Sequence, residues 1–225
     1  DDTIPRANLQ MVSKQLEELA ARRARLKAER DRDEAVASAP ALAERVGEPQ
    51  IAELIAAEAR LFAARRAARE GQKAQLTQRI AQLQDEISGL TAQQDAAARQ
   101  SVLIAEELEG VRGLYKKNLV SLSRKAVLER EAAQLDGQKG QLVAAVAQAE
   151  GKIAETRLEI IQIDAAHQEK VAQELQEVES KIAELTERRV AAEDQLKRID
   201  IRAPVSGHVH ELAVHTVGGV LSPAE

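Results

Sequence analysis

From Ile51 to Arg202 the chain contains no proline. A run of that length, filled mainly with Ala, Glu, Gln, Leu, Arg and Lys, restricts the fold to long helices. Within it, Leu76, Ile80, Leu83, Ile87 and Leu90 recur at alternating intervals of four and three, the spacing of a coiled-coil seam. An outward arm carries this stripe, preceded by Leu54, Ala57, Leu61 and Ala68. A return arm carries Leu128, Leu135, Leu142, Val146, Ile153, Ile160, Ile163, Val171, Val178, Ile182 and Leu185. Each arm has only one apolar stripe, so each needs a partner to be stable.

The one credible break between the arms is Tyr115-Lys116-Lys117-Asn118-Leu119-Val120-Ser121-Leu122-Ser123. If the chain folds back there, facing residues have numbers with a constant sum. Leu54 with Leu185, Leu61 with Val178, Leu76 with Ile163, Leu90 with Ala149 and Val111 with Leu128 all give 239, which sets the fold point near residue 120. Because the seam repeats every seven residues, this arithmetic fixes the register modulo a heptad. Asn118 accepts a left-handed turn conformation, and Ser121 or Ser123 caps the return helix. If Ser123 is the cap, Leu122 and Val127 can form a staple. Leu119 and Val120 stand where no core within the chain can bury them, which marks the tip as a contact site. The plainer reading is that they fold over the end of the hairpin.

Composition supports narrow seams over a thick core. The 225 residues include one Phe, one Tyr and no Trp, and a Leu/Ile/Ala seam needs no aromatic side chains. The net charge of −5 comes from both signs interleaved along the helices, a solvated surface lacking the local basic footprint of a nucleic-acid binder. Cysteine is absent, so disulfide and thiolate chemistry are excluded. No run of about 18 apolar residues is present to span a membrane. The chain opens at Asp1 and stops at Glu225 inside a strand-like stretch, which predicts a piece of a longer protein.

The remaining segments follow from local signals. Leu9, Val12, Leu16, Leu19 and Leu26, with Arg23 in the missing seam position, predict an N-terminal helix over 5–33, capped by Asp2 or Thr3 with Pro5 in its first turn. Pro40, Gly47 and Pro49 make 34–50 a linker. The hairpin then divides into 51–116, a tip turn at 117–122 and a return helix at 123–199. The N-terminal helix is expected beside the start of the outward arm as a three-helix base, with packing on a neighbouring copy as the alternative. From residue 200 the alternation of Val209, Leu212 and Val214 and the turn Gly218-Gly219 read as β-structure. That is too little to close a sheet by itself.

This last segment, IRAPVSGHVHELAVHTVGGVLSPAE, resembles the haemolysin-type (HlyD) membrane fusion family of type I secretion, in which RAPVSG and VHT-x-GG phrases are characteristic. RLKAERD from Arg25, RLFAARRAAREGQ from Arg60 and LYKKNLVSLSRKAVLEREAA at the tip are similar to the family as well. The resemblance implies a mainly α fold: a long antiparallel coiled-coil hairpin with an additional N-terminal helix. Residues 200–225 would be half of a lipoyl-like β-domain, and residues 1–4 the trailing edge of its other half. It implies a periplasmic adaptor anchored in the inner membrane by a segment outside this chain. Its partners would be an ABC transporter and a TolC-like outer-membrane channel, with six copies around the path of an exported protein and no nucleic acid. A drug-efflux or peptide-export adaptor of the same superfamily is the near alternative. A structural coiled coil unrelated to transport explains the seams but not the RAPVSG phrase.

Related adaptors carry at the tip an Arg, a Leu four residues on and a Ser or Thr seven further. Here Leu114 and Ser121 keep that spacing, Gly110 stands at the arginine's place, and Arg112 is the nearest substitute. The family often has Gly where Asn118 sits. The resemblance thus points to Arg112, Leu114, Asn118, Leu119, Val120 and Ser121 as the channel-docking set. No enzyme, cofactor or metal is expected. His208, His210 and His215 fit a strand without a zinc ion, and His167, set opposite Gln72 by the register, reads as a seam residue. The carboxylates lie on helical surfaces, and 201–225 offers no lysine for lipoate.

Overall fold

A computed structural model describes residues 2–37 and 39–199. The β reading of 200–225, its three histidines and the RAPVSG phrase lie outside those residues. The described residues form three α-helices, α1 (Thr3–Asp31), α2 (Pro49–Lys116) and α3 (Leu122–Lys197), with a short 3-10 helix at Pro40–Arg45. No described helix is long and apolar enough to cross a membrane.

The helix limits move in ways that backbone chemistry accounts for. α1 takes in Thr3 and Ile4, read above as the edge of a β-domain, because Pro5 in a first turn forgoes a hydrogen bond the helix does not need there. α2 starts at Pro49, assigned above to the linker, with Glu48 as its N-cap; proline is at home at the first helical position. Glu48 makes no side-chain cap bond, and both its carboxylate oxygens accept from Arg45 at 2.7 Å. α1 ends on Arg32 at φ 61°, with the Asp33 N–H donating to Ala28 O at 3.0 Å, so a non-glycine residue serves as a left-handed stop.

Two compact units divide the chain, Asp1–Leu19 with Ser180–Glu225 and Ala20–Glu179. In the first, the start of α1 lies along the end of α3, burying Val12 and Ala192, and Leu19, Gln15, Leu185 and Arg188 line one shallow groove.

In the second unit, the end of α1, the linker and the start of α2 share a core of Ala20, Ala21, Ala39, Leu42 and Ile51, with Ala24, Leu54 and Ile55 against it. The linker is therefore built into the fold: its 3-10 helix presents Leu42, which is 1 % exposed. Three helices meet around a charge cluster. Arg25, itself buried, donates to Glu29 at 2.6 Å and to Glu58 at 2.5 Å. Glu174 of α3 lies 3.5 Å from Arg22, 3.8 Å from Arg25 and 3.4 Å from Arg65. Burial acts to raise the pKa of Glu174, but Arg65, Arg25 and Arg22 together hold it below the ordinary carboxylate range. Gln168 of α3 donates to Arg30 O at 3.5 Å, so α1 runs antiparallel to α3 here.

Beyond this junction α2 and α3 pair as an antiparallel hairpin. Leu83, Ala97 and Leu108 are buried on α2, and Leu128, Ala149, Ile153 and Thr156 on α3, with Val171, Leu175 and Val178 buried on α3 beside Glu174. The Thr156 hydroxyl is satisfied by Lys152 O at 2.8 Å. Cross-arm ion pairs follow the same frame: Arg65–Glu174, Lys73–Asp164 and Arg112–Glu129 have numbers summing to 239, 237 and 241.

The seam of α2 between Ile51 and Lys73 differs from the apolar reading. Ala57, Leu61 and Ala68 face outward, Leu61 at 40 % exposure. The inward positions are Ile55, Glu58, Phe62, Arg65 and Arg69. Between two neighbouring helices α2 turns a different face inward, and the charged side chains there meet opposite charges on α1 and α3.

Candidate functional site: the hairpin tip

α2 ends in a Schellman motif. The Asn118 N–H donates to Tyr115 O at 2.9 Å and the Leu119 N–H to Leu114 O at 3.1 Å. Asn118 itself sits at φ 61°, the left-handed conformation that asparagine adopts more readily than other residues with a Cβ. Four residues after Asn118, at Leu122, α3 begins. The Ser121 hydroxyl accepts from the Arg124 N–H at 3.3 Å, which settles the cap on Ser121. Ser123 falls inside the helix, so the staple conditional on it does not arise, and Leu122 and Val127 are both exposed.

The tip is braced from both sides. Arg112 reaches across the hairpin to Glu129, with Nη2 at 2.9 Å and Nε at 3.3 Å. Arg124 reaches in the opposite sense to Glu107 at 2.5 Å. Lys125 lies 5.5 Å above the Tyr115 ring and 3.7 Å from Glu129. The hydrogen bond from Arg112, opposed by slight burial and helped by the charges of Lys125 and Arg112, holds the Glu129 carboxyl below its usual pKa.

Inside this frame the apolar groups remain outside. Leu119 is 67 % exposed and Leu122 is 60 %; Leu114 is also exposed, and Val120 is half-buried. Of the six residues singled out in the sequence, Leu114, Asn118, Leu119, Val120 and Ser121 form the turn and its two caps. Arg112 stands one helical turn back with its guanidinium engaged by Glu129. Gly110 has open space where a side chain would project. Sequence reasoning missed Glu107, Arg124, Lys125 and Glu129. The register applied to charged residues, as it was to apolar ones, places Arg112 beside Glu129.

Arg112, Arg124, Lys125, Glu107 and Glu129 are engaged with one another in ion pairs on an open surface. Among the described residues no group of His, Asp and Glu is placed to hold a metal ion. What the tip offers is a stiff turn presenting leucines.

The family described as "AprE, long alpha-helical hairpin" matches residues 5–195. The type I secretion system membrane fusion protein PrsE of Rhizobium meliloti (strain 1021) is 48% identical over 225 residues, all of this chain and 51% of that protein. The proteases secretion protein PrtE of Dickeya chrysanthemi is 27% identical across 95% of this chain and 48% of its own length. The chain thus spans about half the length of these relatives. The crystal structure of the soluble domain of LipC, a membrane fusion protein of a type I secretion system, shares the fold with a TM-score of 0.85. It covers 90% of this chain and 95% of that one at 24% identity.

Proposed function

Because the chain belongs to the AprE long α-helical hairpin family, we propose that it is the hairpin part of a periplasmic adaptor for type I protein secretion. In this reading the full protein is anchored in the inner membrane, joins an ABC transporter to a TolC-like outer-membrane channel, and assembles as six copies around the exported polypeptide. It catalyses no reaction. Residues 200–225 supply half of a lipoyl-like β-domain and the tip docks on the channel. Support for protein export over drug efflux comes from the relatives, named for type I secretion and for protease secretion.

The observation that carries the docking role is the pair of exposed leucines, Leu119 and Leu122, on a turn whose backbone is fixed by the Schellman motif and the Ser121 cap. An apolar group exposed on a rigid support meets a partner with little further loss of conformational freedom. Leu114, Asn118, Val120 and Ser121 complete the surface. Arg112, tied to Glu129, acts on the partner through the shape of the tip.

The test is Leu119→Asp and Val120→Glu in the full-length protein, each with secretion of the cognate substrate and circular dichroism measured together. Secretion should fall at least tenfold while helicity is unchanged. Normal secretion by both variants would remove the docking role.

A further inference from the structure

Where α1, α2 and α3 meet, a cavity of about 220 Å³ opens between Arg32, Arg65, Arg66, Arg69 and Lys73, with Phe62 and His167 also on its wall. At about 30 Å³ per water molecule it has room for an ion and its hydration. Two of its carboxylates are already engaged: the buried Glu29 with Arg25 and Arg65, and the half-buried Asp164 with Lys73 at 2.9 Å, the charges of Arg69 and Arg32 also acting on Asp164. Asp33 and Glu70 stand exposed at the rim.

Among the described residues, three guanidiniums at the cavity have no carboxylate within hydrogen-bond distance. Arg69 Nε is buried without any hydrogen-bond partner; it lies 3.8 Å from an Asp164 oxygen, and Arg69 Nη2 lies 3.9 Å from Glu70. Arg66 donates only to Glu34 O, at 3.2 Å. Arg32 is carried on the left-handed residue that ends α1, and its guanidinium makes no hydrogen bond among the described residues. A buried donor without an acceptor is costly to keep, and planar guanidinium forks fit oxyanions. Burial first, and then the positive charges of Arg69 and Arg65 against Glu29 and Asp164, hold the His167 pKa below the ordinary histidine value.

We propose that this cavity binds a small multivalent oxyanion, phosphate being the simplest of its class, with Arg69 and Arg32 as its principal ligands and Arg66 as a third. The site is independent of the hairpin tip, and no assignment to secretion is needed to test it.

The experiment titrates the 225-residue chain with inorganic phosphate at constant ionic strength, following the arginine Nε–H and His167 ring signals by NMR. The expected result is a saturable shift, competed by sulfate, absent with chloride and accompanied by a rise in the His167 pKa. Arg69→Gln and Arg32→Asn should each weaken binding at least tenfold. The latter keeps a residue suited to the left-handed backbone, so it remains decisive if the former loses helicity. Arg188→Gln, at a residue that does not line the cavity, should bind as the unaltered chain does. A response that is linear in phosphate, equal in chloride, or saturable and unchanged in Arg32→Asn would overturn the proposal.

Discussion

Arg25→Met is the sharpest probe of how the helical junction is held. Methionine keeps most of the aliphatic length and the helix propensity, so the loss is confined to the guanidinium. That group bonds Glu29 and Glu58 at 2.6 and 2.5 Å. With side-chain exposures of 2 % for Arg25 and 3 % for Glu29, neither end is replaced by water at no cost. Removing one partner of a buried ion pair leaves the other charge uncompensated, which costs about 3–5 kcal/mol. For a chain of this size that is roughly 6–20 °C in Tm. Arg65, 3.4 Å from Glu29, offsets part of it and favours the lower half of the range. Urea denaturation followed at 222 nm measures the change, and a cycle with Glu58→Gln separates the pair from the rest. The double variant should be less destabilised than the sum of the singles, by at least 1 kcal/mol. Loss of under 1 kcal/mol in Arg25→Met, or strict additivity, would refute the reasoning that this arginine neutralises a buried cluster.

Other expectations are simpler. Asn118→Ala keeps a Cβ at φ 61° but loses the local hydrogen bonding that lets asparagine tolerate it, and should cost up to about 1 kcal/mol, while Asn118→Gly should be neutral or better, both by urea denaturation. Ser121→Ala, which removes the Arg124 cap bond, should cost about 1 kcal/mol by the same assay. Gly110→Ala should stabilise α2 by up to about 1 kcal/mol, since a Cβ there meets nothing within 4 Å. Asp164 is held below its usual pKa by Lys73, and Glu174 by Arg65 against its burial. A pKa depressed on folding gives stability that is full above the unfolded value, near 4, and drains as pH falls through the folded one. Thermal melts should therefore be flat near neutrality and decline below about pH 4.5, and Lys73→Met should reduce that decline.

The hairpin was legible because its central stretch obeys one simple rule. Leu76 to Leu90 repeat faultlessly, and apolar residues answer them from the return arm, Leu76 and Leu90 summing to 239 with Ile163 and Ala149 and Ile80 and Ile87 to 240 with Ile160 and Ile153, so two independent patterns agree on Tyr115–Ser123. The junction was not legible by the same rule. A search for apolar residues at seam spacing passes over Glu58, Arg65 and Arg69 and lands on Leu61 and Ala68, which face outward. Arg25 fails the rule as well, although it is 2 % exposed. Hydrophobicity describes how a two-helix seam is filled. Where three helices crowd together, charges are buried in matched sets, and only the positions of their partners reveal them. The phrases beginning at Arg25 and Arg60, which resemble the haemolysin-type family, hold much of that set. At the tip, Asn118 and Ser121 announced their roles by residue type, whereas the Arg112–Glu129 brace required both helices to be in place.

A consequence lies in those unevenly placed charges. A seam of Ala, Leu and Ile would accept a slide of one arm past the other by seven residues with little change in apolar contact, and a chain this repetitive has many such wrong alignments to fall into. Arg65–Glu174, Lys73–Asp164 and Arg112–Glu129 are spread along the two arms at intervals unrelated to one another. A slid hairpin cannot satisfy all three, and near the junction it would strand unpaired charge in a dry place. The ion pairs thus work less as glue than as the wards of a lock, admitting one alignment out of several that the leucines alone would accept.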